Sequence, residues 1–297
     1  MKLQNQWDDP LTREQYLAEQ LNNSRLSVVL GAGVSRPCGL PDWKTLIARL
    51  FDAVGLKVPS DGDEKKQAEY FRSEVCRGNE VEFLDRVTEA LYDGSDLSLK
   101  SLSQNQTVAA LAALIMSSVR GNVASVVSFN FDDVVEVYLE YHGFVVQSVP
   151  DESTWNARSD VEILHPHGLL PSGPARERSK RIVLDQKEYS KITGDEARPW
   201  RQRMLSQMRT RTCLFVGVSG GDEHMDSLIV RCQETHASAV DGTRFWGVWY
   251  TNGQDAAAIS SWRNRGVYPD VVGNDYEDLP KRLFGICQTA ARKRAAK

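Results

Sequence analysis

The chain has 297 residues, 41% hydrophobic and 26% charged, the ordinary balance of a globular protein large enough for one domain with an insertion. Its formal net charge of -4 argues against non-specific nucleic-acid binding by the chain as a whole, and no run of about 18 apolar residues offers a membrane span. The opening MKLQNQWDDPLTREQ lacks the apolar centre of an export signal, so the expected compartment is the cytoplasm.

In chain order, residues 12–23 have helical spacing with Thr12 as the expected cap, and RLSVVL reads as a short buried strand ending at Gly31. DWKTLIARLFDAVG places Trp43, Leu46, Ile47 and Leu50 on one helical face, with Asp42 as cap and Gly55 as stop. From about 62 to 120 no segment alternates like a strand. EKKQAEYFRSEVC, EVEFLDRVTEALY and QTVAALAALIMSS have helical spacing, which predicts a helical insertion.

Alternation then resumes. VASVVSFN is a strand, FDDVVEVYLEYHG a helix, and GFVVQSV and VEILHPHG are short strands. PSGPARERSK (171–180) reads as a mobile surface loop, close enough after His167 to serve otherwise as a lid. RPWRQRMLSQMRT is a helix, TCLFVGVS a strand and EHMDSLIVRCQETH a helix. TRFWGVWY follows as a strand with Trp246 and Trp249 in the core, then a helix around 254–263, the strand GVYPDVV and a last helix from about 276. The basic end RKRAAK reads as a solvated terminus.

Such alternation predicts an α/β fold: a Rossmann-like, mainly parallel sheet with helices on both faces, the whole chain forming a single domain. Ligands of such sheets bind just past the C-terminal strand ends. Three strands end in small or polar residues, at Gly31, at Ser128–Asn130 and at Gly217–Ser219. Gly31, Ala32, Gly33 and Ser35 would let a pyrophosphate approach the backbone, although a tight turn alone needs the same glycines. The third glycine of a hydride-transfer fingerprint is replaced by Arg36, and Asp52, near where a ribose-binding acid is sought, reads as a solvated helix residue. The five cysteines lie far apart with no C-x-x-C pair, and read as small buried hydrophobes.

The phrase GAGVSRPCGLPDW (31–43) resembles the opening of the sirtuin family, GAG-x-S followed by G-[IL]-P-D-F. SFNFDD is similar to the family's Q-N-x-D segment at Asn130 and Asp132, HPHG carries its H-G pair at His167–Gly168, and FVGVSGGDEHMDSLI is similar to its late G-x-S segment. The departures narrow the resemblance. No cysteine lies between 76 and 213, so the four-cysteine zinc module is missing; Trp43-Lys44 replaces phenylalanine-arginine; and no valine-phenylalanine-glycine segment for an acyl-lysine peptide is found. What remains resembles the stand-alone sirtuin-like NAD hydrolases of bacterial anti-phage systems.

The resemblance implies an NAD+ pocket without a metal. Asn130 would hold a ribose hydroxyl and the attacking water, and His167 would be the base, with His165 as its rival two residues away. Asp132 would meet the nicotinamide carboxamide and Ser219 the adenosine half near Gly217 and Asp222; read from the residues alone, Asp132 and Asp133 both also fit first-turn dipole partners. Asp42 has two readings, helix cap and pocket ligand. The expected activity is hydrolysis of NAD+ to nicotinamide and ADP-ribose, held in check by homo-oligomerisation or by a HerA-type ATPase partner, with no direct nucleic-acid or membrane binding. The alternatives are a sensor that binds NAD or ADP-ribose without turnover, and a zinc-free deacylase or ADP-ribosyltransferase.

Overall fold

The computed structural model describes residues 7–116, 123–150, 159–194, 199–220, 222–236 and 245–295. The chain begins with α1 (Pro10–Asn22), β1 (Leu26–Leu30) and α2 (Trp43–Asp52), β1 and α2 being joined by two short turns. Four helices follow: α3 (Glu64–Tyr70), continued by a π turn, α4 (Glu80–Tyr92), α5 (Leu99–Gln104) and α6 (Gln106–Met116). Then come β2 (Val123–Ser128), α7 (Val134–Tyr141), β3 (Val146–Val149), β4 (Val161–Leu164), α8 (Gln186–Gly194) and α9 (Pro199–Thr210). The last third holds β5 (Thr212–Val216), α10 (Glu223–His236), β6 (Gly247–Thr251), α11 (Ala256–Asn264), β7 (Val267–Val271) and α12 (Leu279–Ala295).

Among the described residues seven strands join one sheet in the order β3-β4-β2-β1-β5-β6-β7, and each of their pairings is parallel. The chain first moves outward from β1 to β2 and on to the edge strand β3, steps back to β4 between them, then crosses to the other side of β1 and continues through β5, β6 and β7. The connections leaving β1 and β5 therefore diverge, and a crevice opens between them at the strands' C-terminal ends.

Alternate residues of β1 feed two cores. Val28 and Leu30 pack with side chains of α1, α2, α6, α7 and α12, whereas Val29 packs on the opposite face with Met204, Leu228 and Trp262 of α9, α10 and α11. Covered on both faces, β1 and β5 are buried along their whole length, which is why they read as apolar runs rather than as alternating patterns.

The expected strands all form. Four details differ from expectation. Helix α1 begins at Pro10, capped by the Asp9 carboxylate, which accepts from Leu11 N at 3.2 Å and Thr12 N at 3.1 Å; proline fits a first helical position, so the cap lies three residues before Thr12. Helix α8 has no counterpart in the sequence reading: only Glu188 and Tyr189 are buried, so its apolar stripe is too thin to register. The loop 171–180 is fastened rather than free, with Arg176 bridging Asp133 at 2.7 Å and Glu140 at 2.5 Å, Arg178 bridging Asp85, and Ser179 Oγ accepting from Leu169 N at 2.7 Å. The basic residues Arg292, Lys293 and Arg294 continue α12, and Arg294 Nε donates to Asn22 Oδ1; residues 117–120, 198, 243–244 and 296–297 of the expected elements lie outside the described residues.

At the crevice the two central strand ends touch. Gly31 N donates to Val216 O and Gly33 N to Gly217 O, both at 3.0 Å. A Cβ on Gly31 would lie 2.5 Å from Gly217 O, and one on Gly217 would lie 2.6 Å from Val34 N at a φ of +68°. Gly217→Ala is therefore expected to destabilise the fold by roughly 2–3 kcal/mol, from backbone collision and left-handed strain together. Gly143→Ala, at a φ of +81° with nothing within 4 Å, carries the strain alone and should cost about 1 kcal/mol. Urea unfolding of the two variants measures the difference.

Candidate active site

A cavity of about 860 Å³ occupies the crevice, within the range of roughly 300–1,000 Å³ usual for ligand sites. Gly31, Ala32 and Gly33 line it from β1, Asn130 and Asp132 from the turn after β2, His167 from the turn after β4, and Gly217, Ser219 and Asp222 from the segment after β5. Asp42 lines it too, while its Oδ1 caps α2 by accepting from Thr45 N at 2.9 Å, so the expected cap forms on a residue that faces the cavity. Ser35 is the exception. It is buried behind the wall and its hydroxyl is committed to neighbouring side chains, so the residue expected to meet a phosphate instead supports the site.

Asn130 ties two strand ends together. Its Nδ2 donates to Gly31 O at 3.1 Å and to Ser35 Oγ at 3.3 Å, so the amide N–H groups are engaged and the side chain's remaining chemistry is that of its carbonyl, an acceptor. Ser35 Oγ in turn donates to Asp132 Oδ1 at 2.8 Å, and Val134 N donates to the same oxygen at 3.2 Å. Burial raises the Asp132 carboxyl to about 7 despite those two hydrogen bonds. Asp133 points elsewhere: fully buried, it accepts from Tyr92 OH and Ser172 N at 3.0 Å and from Arg176, and it makes no side-chain cap to α7. Asp133 thus anchors the 171–180 loop while standing at the N-cap position of α7.

The two histidines of HPHG part company because the chain turns after β4, with Gly168 N donating to His165 O at 3.0 Å. His165 enters the core. Its Nε2 meets Glu136 Oε1 at 2.5 Å and its Nδ1 meets Asn130 O at 3.2 Å. Burial opposes its charge, but the Glu136 carboxylate prevails and raises the imidazole while His165 lowers the carboxyl, which favours an ion pair, and the His165 ring braces Asn130 from beneath. His167 faces the cavity, its ring edge-on to Phe129 with centroids 4.9 Å apart. Burial lowers its affinity for a proton, outweighing Asp222 and the Phe129 backbone, so the ring is neutral at pH 7.

Asp222 belongs to the His167 end of the cavity. Its Oδ2 accepts from Tyr189 OH at 2.6 Å and lies 3.9 Å from His167 Nε2, while Oδ1 caps α10 through Met225 N at 2.7 Å. Burial works to raise this carboxyl, but His167, Tyr189 and the Met225 N–H together hold it below the usual range. Trp249 takes its expected place in the core and adds a tether, its Nε1 donating to Val218 O at 2.9 Å just past Gly217. Among the described residues, no three His, Cys, Asp or Glu side chains stand together as a metal-ion group.

Residues 124–269 match the model of the SIR2-like domain family. The NAD(+) hydrolase ThsA of Acinetobacter baumannii (strain 532279) is 22% identical over 220 residues, 72% of this chain and 40% of that protein. The NAD(+) hydrolase ThsA of Bacillus cereus (strain MSX-D12) is 22% identical over 222 residues, 73% of this chain and 42% of that protein. The chain thus spans less than half the length of these curated relatives. A solved Sir2 homolog–NAD complex shares the fold with a TM-score of 0.54 at 13% identity, covering 93% of this chain and 94% of that one.

The cavity has a further wall that the sequence reading missed: Asn252 and Gln254 after β6, and Asn274, Asp275 and Tyr276 around the start of α12. The signal was available, since these are again polar residues just past strand ends. Tyr189 and His224 were missed as well. The first lies in the thinly apolar α8, and the second in the opening turn of a helix whose cap, Asp222, was noticed for another reason.

Asp132 supplies a stability test. Its carboxyl rises from an ordinary 3.8 to about 7 on folding. The folded state therefore holds a proton that the unfolded chain releases, and stability is lost as pH climbs from 3.8 to about 7 and levels off above. Asp132→Asn keeps an acceptor for Ser35 and Val134 but does not titrate. Its melting temperature relative to the parent protein is expected to improve steadily from pH 4 to 7 and then hold constant, as read by thermal unfolding at a series of pH values.

Proposed function

We propose that this chain hydrolyses NAD+ to nicotinamide and ADP-ribose, with His167 as base and Asn130 as the residue that orients the reacting ribose and water. The observation that carries this reading is the convergence of a neutral, buried imidazole and a braced asparagine on one cavity with the paired glycine turns. The two ThsA relatives bear the name of that activity, and the solved Sir2 homolog holds NAD, which supports the choice of substrate.

Cleaving the bond between nicotinamide and ribose develops positive character at the ribose carbon, so the catalyst must fix the sugar and deprotonate the oxygen that attacks or assists. A neutral His167 can accept that proton, and Asp222 beside it favours the resulting imidazolium. The Asn130 carbonyl can accept from a ribose hydroxyl or from the water. Asp132, half protonated near pH 7, can donate to or accept from the nicotinamide carboxamide. The turns at Gly31–Gly33 and Gly217–Ser219 suit the pyrophosphate and the adenosine half. This scheme calls on no metal.

We further propose that the 297 residues, helical insertion included, act as one catalytic unit in the cytoplasm during anti-phage defence. Uncontrolled loss of NAD+ is lethal, so homo-oligomerisation or a HerA-type ATPase partner would set the activity. Among the described residues no helix is long and apolar enough to cross a membrane, and direct nucleic-acid binding is not expected at a net charge of -4.

Nicotinamide release from NAD+ by purified protein tests the reading. Asn130→Ala and His167→Ala are expected to remain folded and to bind NAD+ while losing turnover by at least about a hundredfold. Unchanged turnover in His167→Ala would remove that residue from the role of base.

A further inference from the structure

His224 has no part in the scheme above, yet it is among the most confined polar side chains in the molecule. It lies in the first turn of α10 and is 2% exposed. Its Nδ1 stands 3.4 Å from His167 Nε2, and the two rings are nearly parallel, 26° apart with centroids at 5.5 Å. Among the described residues its buried Nε2 has no hydrogen-bond partner, an arrangement that a merely structural histidine would avoid. The same nitrogen of His167 also faces Asp222 Oδ2 at 3.9 Å, so one short segment, 222–224, presents a carboxylate and an imidazole to a single atom.

The other charged or titratable groups around His167 are Tyr189 of α8, its ring 5.3 Å away and its hydroxyl on Asp222, and Lys65 of α3, whose Nζ lies 4.4 Å from the Tyr189 ring and 2.8 Å from Glu223. Lys65 disfavours a proton on His167 and Asp222 favours one. His224 itself is held down to about 3, chiefly by burial and then by His167, so it stays neutral and does not compete for the proton.

We propose that His224 is a positioning residue for His167: its Nδ1–H donates to the Nε2 lone pair of the neutral ring, fixing which nitrogen is the base. For that nitrogen to take a proton from the ribose hydroxyl or water, the His224 Nδ1–H gives up its hydrogen bond to the lone pair; the O–H bond breaks with its electrons left on the oxygen, the Nε2–H bond forms, and Asp222 becomes the partner of the new N–H. The inference rests on the reading of His167 as base.

Two substitutions separate position from mere polarity. The amide of His224→Asn falls where Nδ1 stands, and that of His224→Gln falls near Nε2. The Asn variant is expected to keep kcat within about threefold and the Gln variant to lose about tenfold or more, with KM within about twofold in both. Histidine ¹⁵N NMR of the whole chain, whose five histidines can be assigned by substitution, reads the same device without turnover. His167 should show one tautomer with unprotonated Nε2, kept in the Asn variant and mixed in the Gln variant. In Asp222→Asn it should titrate about one pH unit lower or more. Equal kcat in the Asn and Gln variants, or a His167 tautomer indifferent to both, overturns the proposal. If no form of the protein consumes NAD+, the hydrolase reading fails while the tautomer measurement still decides this one.

Discussion

The site depends on the contact between two strand-end turns. Gly31 and Gly33 after β1 and Gly217 after β5 lie so close that a single methyl group on any of them would meet backbone atoms at 2.5 to 2.8 Å. Bare backbone on both sides lets the central strands end side by side and leaves the crevice above them open. The switch in sheet order decides that the crevice lies here, because β2 and β6 continue the sheet in opposite directions from this pair. Every other element of the site is referred to it: Asn130 donates to Gly31 O, and Trp249 holds the carbonyl of Val218.

From that contact a second layer of polar groups is built, and its members divide by burial. Glu136 and His165 each favour the other's charged form, and the pair stiffens the backbone under Asn130. Asp132, equally buried but given only a hydroxyl and an amide N–H, keeps its proton to near neutrality. His167 and His224, facing each other with one carboxylate nearby, stay neutral. The same scarcity of water thus yields a fixed charge in one place and proton-exchanging groups in another, according to what partner each side chain finds.

Much of the fold was legible in the sequence. The buried strands are short apolar runs, the helices carry their caps, and the polar strand ends at Gly31, Asn130 and Gly217 announce a common edge. The motif at residue 167 was legible too, because glycine follows it in a recognisable pair. Less legible were side chains whose neighbours are remote in sequence. Nothing local shows that Ser35 turns its hydroxyl inward to Asp132, that Arg176 fastens the 171–180 loop, or that Asp222 sits beside His167 rather than at the far end of the cavity. Helix α8 escaped for another reason: it buries only two of its nine residues, and one of them is a glutamate.

By itself the sequence determined the alternation of strands and helices, the glycine positions and the set of polar residues just past the strand ends. These properties depend on backbone preference and on periodicity, which are local. Only the tertiary structure decided which histidine entered the core and which faced the cavity, which carboxylate kept its proton, and which residue stood behind which. Those outcomes depend on burial and on partners brought from up to about a hundred residues away, as when Asn130 meets Gly31 across 99 positions of chain. Proton affinity and orientation follow from that company, and no local pattern encodes it.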